Sequence, residues 1–315
     1  MQVIIDKGIP FLDGVFGSDI EVRHLPPDEI TNKAVRNADA LVVRTRTRID
    51  KNLLAGSKVR FVATATIGFD HIDQAYCREA GVEWMSCPGC NAKAVCDYVE
   101  EALNTLKSGE SGKTLGVIGY GHVGKLVAEM AKRKGYEVLV SDPPLGIGQS
   151  LAEIAPLCDV LTFHTPLTHE GEHATYHMCN ADILRRCKPN ALLINAARGG
   201  VIDENALLEH MKKMPEMQVV LDCWEGEPML NCELLEKVNL ASFHIAGYSI
   251  QGKMRASEMC LEGFCAFFSL PILSINKKAV PLQGDSESGW LQRISDQLKK
   301  APADFEQLRK QYKLR

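Results

Sequence analysis

Hydrophobic positions come in short runs separated by polar, helix-patterned stretches through most of the chain. Val3–Ile5, Ala40–Val43, Phe61–Ala63 and Val82–Met85 are runs of strand length, and Ile72–Ala80 has helical character. Alternation of this kind predicts a parallel sheet with helices on its faces. From Asn91, read as an N-cap, Ala94, Val95, Tyr98, Val99, Ala102, Leu103 and Leu106 recur at helical spacing to about Lys107, until Ser108–Gly112 breaks the pattern. Strand candidates then resume at Thr114–Ile118, Val138–Val140, Val160–Phe163, Ala191–Ala196 and Val219–Leu221. Helical patterns lie between them, through Lys134 and over Leu151–Leu157, Ala181–Arg186 and Glu204–Met214. A last long helix is expected from about Gln251 to Phe268. Beyond Pro271, Trp290, Leu291, Ile294 and Leu298 mark one short helical face, and Phe305, Leu308 and Tyr312 a second.

The stretch Lys113–Asp142 organises the rest. It runs strand, Gly119-Tyr-Gly121-His122-Val123-Gly124, helix, strand, acidic residue. Gly119 permits the tight turn, Gly121 admits a pyrophosphate, Gly124 lets helix pack on strand, and the helix amides receive the anion. Asp142 falls about 20 residues on, where a ribose 2′-hydroxyl is bound. Its carboxylate repels a 2′-phosphate, and Pro143 and Pro144 leave no adjacent Arg to receive one, so NAD is expected rather than NADP.

Two α/β Rossmann-like domains with parallel sheets and a cofactor crevice between them are thus expected. The boundaries read as a substrate domain of residues 1–90 plus 249–270, an NAD-binding domain of 91–248, and a short C-terminal dimerisation segment of 271–315. With 315 residues, two cores are feasible. A net charge of −4 without a basic stripe argues against nucleic acid, and no apolar run approaches the ~18 residues of a membrane span. The N-terminus lacks the basic start and apolar middle of a signal peptide. Together with 11 scattered cysteines, this sets the expectation of a reducing cytoplasm. Cys87-Pro-Gly-Cys90 has redox spacing, with Cys77 and Cys96 near enough to raise zinc, but it reads equally as a strand-to-helix turn.

Candidate chemistry gathers at strand ends: Arg198, Glu227 and His244. A base of near-neutral pKa suits removal of a hydroxyl proton, a carboxylate beside it stabilises the imidazolium, and a guanidinium grips a substrate carboxylate. The glycine motif, Asn195-Ala196-Ala197-Arg198-Gly-Gly200, Asp222 through Pro228 and the late His resemble the D-isomer-specific 2-hydroxyacid dehydrogenases. Within that family, Val43-Arg-Thr45, Thr64–His71, Cys87–Ala92, Asp142-Pro-Pro144, Phe163–Leu167 and His244-Ile-Ala-Gly-Tyr248 are similar to the branch that oxidises 4-phospho-D-erythronate at C2 in vitamin B6 synthesis. The resemblance covers residues 1 to about 268.

The resemblance implies NAD as cofactor and a small phosphorylated hydroxy acid as substrate. His244 would be proton acceptor, Glu227 its partner and Arg198 the carboxylate clamp. Beside Asp142, it places Thr165, Ala196, Ala197, Asp222 and Gly247 against NAD, and Thr45, Thr66 and Tyr248 against substrate. Arg44, Arg46 and Arg48, on one face if extended, are candidates for the phosphate. A terminal dimerisation domain belongs to the family. Pro302–Tyr312 resembles its end, and apolar faces there predict burial against a partner subunit in a homodimer. Two alternatives stay open: another 2-hydroxy acid such as 3-phosphoglycerate, and a dinucleotide-sensing binding protein, against which the Arg, Glu and His set weighs.

Overall fold

The computed structural model describes residues 1–106, 112–276 and 289–314. The predicted helix end at Lys107, the breaker residues 108–111, and residues 277–288 of the C-terminal segment lie outside them. The chain divides into two compact units: among the described residues, 1–91 with 248–276, and 92–247 with 289–314.

The first unit holds a five-stranded parallel sheet. Its strands are β1 (Gln2–Asp6), β2 (Glu21–Leu25), β3 (Ala40–Val43), β4 (Phe61–Thr64) and β5 (Glu83–Met85), in the order β2-β1-β3-β4-β5. β3 and β4 are buried along their whole length, which is why they read as unbroken apolar runs. β2, absent from the sequence expectation, is an edge strand whose half-exposed Glu-Val-Arg-His-Leu carries no apolar run. Asp73 caps the helix Gln74–Ala80 by accepting from Tyr76 N, so that helix starts two residues later than its apolar pattern. The helix Ile250–Phe267 covers β4, with Phe267 stacked on Phe61 at 5.1 Å and Gly263 seated on Met85.

The second unit is a seven-stranded sheet. It comprises β6 (Thr114–Ile118), β7 (Glu137–Asp142), β8 (Ile147–Gly148), β9 (Val160–Phe163), β10 (Leu192–Asn195), β11 (Gln218–Leu221) and β12 (Leu240–Ala241). The order is β12-β11-β10-β9-β6-β7-β8, parallel throughout except for β8. The order reverses at β6, so the crevice beyond its carboxyl end is the place where such a sheet binds a dinucleotide. The helix Ala92–Thr105 packs on the helix His122–Arg133. Asn91 does not cap it as expected: its side-chain oxygen is buried without a hydrogen-bond partner.

The C-terminal helices Trp290–Lys300 and Phe305–Gln311 belong to this second unit. Trp290, Leu291, Ile294, Leu298, Phe305 and Leu308 are buried within the chain itself. Trp290 meets Tyr98 edge-on, Tyr312 meets Phe243, and Ser295 Oγ accepts from Ala241 N. The faces expected to need a partner subunit are therefore covered by their own chain, and they lend a homodimer no support. No helix among the described residues is long and apolar enough to cross a membrane.

Candidate active site

At the switch point the glycines of the β6 turn have distinct reasons. Gly119 has φ +90°, and an added Cβ there would lie 2.7 Å from the His164 carbonyl oxygen. A Cβ on Gly124 would lie 1.9 Å from the Gly119 carbonyl, so only glycine lets the helix pack this close to the turn. Gly121 has an ordinary φ of −78° and nothing within 4 Å of an added Cβ, so its demand comes from what must lie over it. The helix His122–Arg133 opens without a side-chain cap, leaving the first-turn amides at His122, Val123 and Gly124 for an anion. Asp142 Oδ2 accepts from Tyr120 N at 2.6 Å, and Oδ1 from Leu145 N at 3.3 Å. The carboxylate thus braces the glycine turn and keeps lone pairs for ribose hydroxyls. Open glycine, uncapped amides and placed carboxylate fit a dinucleotide.

The ends of β9, β10 and β11 supply the remaining walls. Thr165 follows β9, and its hydroxyl rests on the Met178 sulfur. Loss of water pushes the neighbouring His164 down to about 3, so that ring stays neutral. After β10, buried Asn195 fastens the next turn: Oδ1 accepts from Ala197 N and Nδ2 donates to Arg198 O. Ala196 and Ala197 are buried there, while Arg198 donates to Ala197 O at 2.7 Å and has no carboxylate partner among the described residues. A Cβ on Gly199 would lie 2.0 Å from Trp224 O, so the Arg198 turn packs directly on the loop that carries Glu227.

Glu227 and His244 form a hydrogen-bonded pair. His244 Nδ1 lies 2.9 Å from Glu227 Oε2 and 3.2 Å from Oε1, and Oε1 also accepts from Trp224 N at 2.8 Å. The Cys223 sulfur completes a cluster whose ligand atoms all lie within 4.8 Å of one another. A Cys223 thiolate would be the strongest influence raising the His244 pKa, which stands well above the ordinary histidine value. Burial, however, holds the Cys223 thiol up, so at neutral pH it is protonated. The Glu227 bonds and, after them, the Asp222 charge are the causes that remain, and Glu227 is correspondingly held low, its burial outweighed chiefly by His244.

Asp222, expected against NAD, also holds the turn that follows β12. It is 1% exposed and accepts from Ser242 Oγ at 2.7 Å, Ile245 N at 2.7 Å and Ala246 N at 2.9 Å. Tyr98 OH reaches Ser242 Oγ at 2.7 Å behind it. This chain anchors the turn from His244 to Gly247. Sequence reasoning missed Ser242 and Tyr98, which carried no signal beyond a core position.

In the first unit, Thr45 is exposed after β3. Thr66 donates to Gly68 O and lies 2.7 Å from Thr64 Oγ1, which also contacts His71 Nε2 at 3.0 Å. Thr66 therefore accepts a hydrogen bond from the Thr64 hydroxyl and can still accept one more. Tyr248 stands just ahead of the helix Ile250–Phe267. The three arginines do not share a strand face, because Thr47 N turns back to Arg44 O. Arg44 is bound to Asp6, Arg48 pairs with Asp50, and Arg46 is exposed. Cys87 and Cys90 bracket a turn, Cys90 N donating to Cys87 O at 3.2 Å. Burial pushes the Cys90 thiol up to about 12, which suits neither redox nor metal chemistry at neutral pH.

The architecture and this pair define a class, the D-isomer-specific 2-hydroxyacid dehydrogenases. The family model described as D-isomer specific 2-hydroxyacid dehydrogenase, NAD binding domain, matches residues 96–246. A relative from Bacteroides fragilis (strain ATCC 25285), erythronate-4-phosphate dehydrogenase, is 43% identical over 336 residues, covering 100% of this chain and 97% of the relative. The protein of the same name from Pseudomonas fluorescens (strain Pf0-1) is 42% identical over 308 residues, 92% of this chain and 81% of that one. The chain belongs to the erythronate-4-phosphate dehydrogenase family. Among solved structures, NAD+-bound 3-phosphoglycerate dehydrogenase of Entamoeba histolytica matches with TM-score 0.71 at 24% identity, over 85% of this chain and 95% of that one. D-lactate dehydrogenase of Aquifex aeolicus, complexed with NAD and lactic acid, matches with TM-score 0.64 at 23% identity and the same coverage. These two establish the fold.

Proposed function

We infer that the chain oxidises 4-phospho-D-erythronate at C2 to 3-hydroxy-2-oxo-4-phosphooxybutanoate, with NAD as oxidant, in vitamin B6 synthesis. The observation that carries this reading is the Glu227–His244 pair at 2.9 Å, in a unit that bears a dinucleotide turn. Bound NAD supplies the acceptor for the hydride that leaves C2. His244 takes the hydroxyl proton: Glu227 holds Nδ1, directs Nε2 to the substrate and stabilises the imidazolium that forms. Arg198, free of any carboxylate partner among the described residues, grips the substrate carboxylate and polarises the oxygen that becomes the ketone. One C–H bond and one O–H bond break, and the products are a 2-oxo acid, NADH and a protonated His244.

Thr45, Thr66 and Tyr248 bind the polyhydroxylated substrate, a reading supported by the acceptor capacity left on Thr66. Thr165, Ala196, Ala197 and Gly247 contact the cofactor, supported by their places at the strand ends that surround the glycine turn. Eleven free thiols support a reducing cytoplasm. A homodimer is part of the proposal on the family resemblance alone, since the C-terminal faces are covered within the chain, and sedimentation at micromolar protein tests it.

The decisive assay is NADH formation across a panel of 2-hydroxy acids. The phosphorylated four-carbon acid is expected to give the highest kcat/KM. A preference for 3-phosphoglycerate of about tenfold would overturn the substrate. NAD binding without NADH from any acid would overturn the enzyme and favour a binding protein.

A further inference from the structure

The first unit holds a concentration of positive charge that proton transfer does not use. β1 ends in Asp6, fully buried, whose carboxylate receives Arg44 Nε at 2.8 Å and Arg44 Nη2 at 2.9 Å, with Gly8 N on Oδ1 at 2.8 Å. A Cβ on Gly8 would lie 2.0 Å from Arg44 Nη2, so the guanidinium lies against bare backbone. Fork and floor fix its position. The donors not spent on Asp6 remain available.

Lys253 stands in the first turn of the helix Ile250–Phe267 and is half-buried. Among the described residues its ammonium has neither a carboxylate within ion-pair distance nor a hydrogen-bond acceptor. Burial and then the neighbouring Arg44 charge hold its pKa below the ordinary lysine value. Ser257, one helical turn beyond Lys253, donates to Pro10 O at 2.7 Å, which places Lys253 toward the loop after β1 where Gly8 packs on Arg44. Asp6, the acid at the start of that loop, is engaged by Arg44. Arg44, Lys253 and Asp6 together leave an excess positive charge, partly removed from water, that a further anion would balance. The amino end of an 18-residue helix adds partial positive charge at the same place. Thr45 directly follows Arg44, and Tyr248 lies just ahead of the helix, so the residues read as substrate contacts border the pair.

We propose that Lys253 and Arg44 together bind the phosphate group of the substrate, with Lys253 the residue that sets preference for a phosphorylated over an unphosphorylated hydroxy acid. The proposal rests on the dehydrogenase reading above for the identity of the substrate. A phosphate monoester has three terminal oxygens, which the ammonium and the free guanidinium edge satisfy together, whereas a planar carboxylate would leave donors unused. Arg44, pinned to Asp6, supplies a fixed edge, and Lys253 supplies the charge that has no other partner among the described residues.

The test measures NADH formation by the full chain with 4-phospho-D-erythronate and with D-erythronate. It uses wild type, Lys253→Met and Lys253→Arg, with calorimetric titration of inorganic phosphate into wild type and Lys253→Met. Lys253→Met should narrow the preference for the phosphorylated acid by about 30- to 100-fold, the size expected for losing a charge-assisted contact, and chiefly through KM. Lys253→Arg should restore part of it, and phosphate binding should vanish in Lys253→Met. An equal loss on both acids, or phosphate binding that survives the Met substitution, overturns the assignment. Wild type that oxidises neither acid overturns the dehydrogenase reading instead, and the phosphate titration then decides the Lys253 site by itself.

Discussion

Replacing Glu227 by Gln changes one atom in the acid–base pair and leaves its shape. Glu227 Oε1 accepts from Trp224 N at 2.8 Å, a bond only an acceptor can keep, so the new carbonyl oxygen stays there and the amide NH2 turns toward His244. Nδ1 then has to accept rather than donate, which places the ring proton on Nε2, the nitrogen that should receive the substrate proton. The lost contact is a charge-assisted bond at 2.9 Å, worth roughly 1.5–3 kcal/mol. That alone lowers kcat/KM for oxidation by about 10- to 150-fold, and the wrong tautomer lowers it further. The pH profile moves as well. Oxidation needs the neutral ring, so activity rises as pH climbs through the His244 pKa, which the carboxylate holds above the ordinary value. Without that charge the acid limb shifts to lower pH even as the plateau drops. Steady-state kinetics from acid to alkaline pH, with NAD affinity followed by fluorescence, separates the two effects. A limb that stays in place, or a plateau within twofold of wild type, would refute Glu227 as the partner of the base.

Two further substitutions report on neighbouring elements. Asp142→Ala removes both the brace on Tyr120 N and the ribose acceptor, and should weaken NAD by about tenfold while bringing NADP closer to it. Equilibrium titration of both cofactors checks this, and an unaltered ratio counts against the ribose role. Glu204, 6% exposed at the start of the helix Glu204–Lys213, has its carboxyl pushed up to about 7 by burial, with the Glu225 and Glu227 charges adding to it. The folded state therefore holds a proton that the unfolded chain releases near 4.5, so stability falls as pH rises between those values and stays lower above. Glu204→Gln keeps the acceptor for Glu225 N, should flatten that slope, and should stabilise the protein above neutrality by up to about 3 kcal/mol in denaturant unfolding. An unchanged slope would show that Glu204 is not the titrating group.

What could be read from sequence follows the range of the interaction. The glycine turn and Asp142 were legible because strand, turn, helix and acid are consecutive, and each glycine answers to atoms within its own unit. The placement of Arg198, Glu227 and His244 after strands was legible because parallel strands end at one edge, so residues that follow strands share that edge. The fate of Arg44 was not legible. Its partner Asp6 lies 38 residues away on a neighbouring strand, and nothing in an Arg-x-Arg-x-Arg pattern distinguishes a pinned guanidinium from a free one. Lys253 was hidden for the same reason, since a lysine with no partner among the described residues announces itself only by what fails to surround it. The C-terminal helices showed their apolar faces plainly. Periodicity says that such a face must be buried, and it is silent on whether the cover is the same chain or a second one.

Asp222 shows how one buried acid can hold a strained turn beyond the end of a strand. His244 has φ +59°, a left-handed conformation that costs a non-glycine residue roughly 1–2 kcal/mol. The turn survives because the amides just after it, Ile245 N and Ala246 N, both donate to the Asp222 carboxylate, and Ser242 Oγ adds a third bond. Bonds to a charged acceptor contribute about 1.5–3 kcal/mol each, which more than offsets the strained residue. Tyr98, on the helix Ala92–Thr105, supports Ser242 from behind, so a buried polar chain runs from a core helix to the His244 turn. The left-handed turn places the His244 ring over Glu227, and the same carboxylate that maintains the turn orients the backbone leading to Gly247.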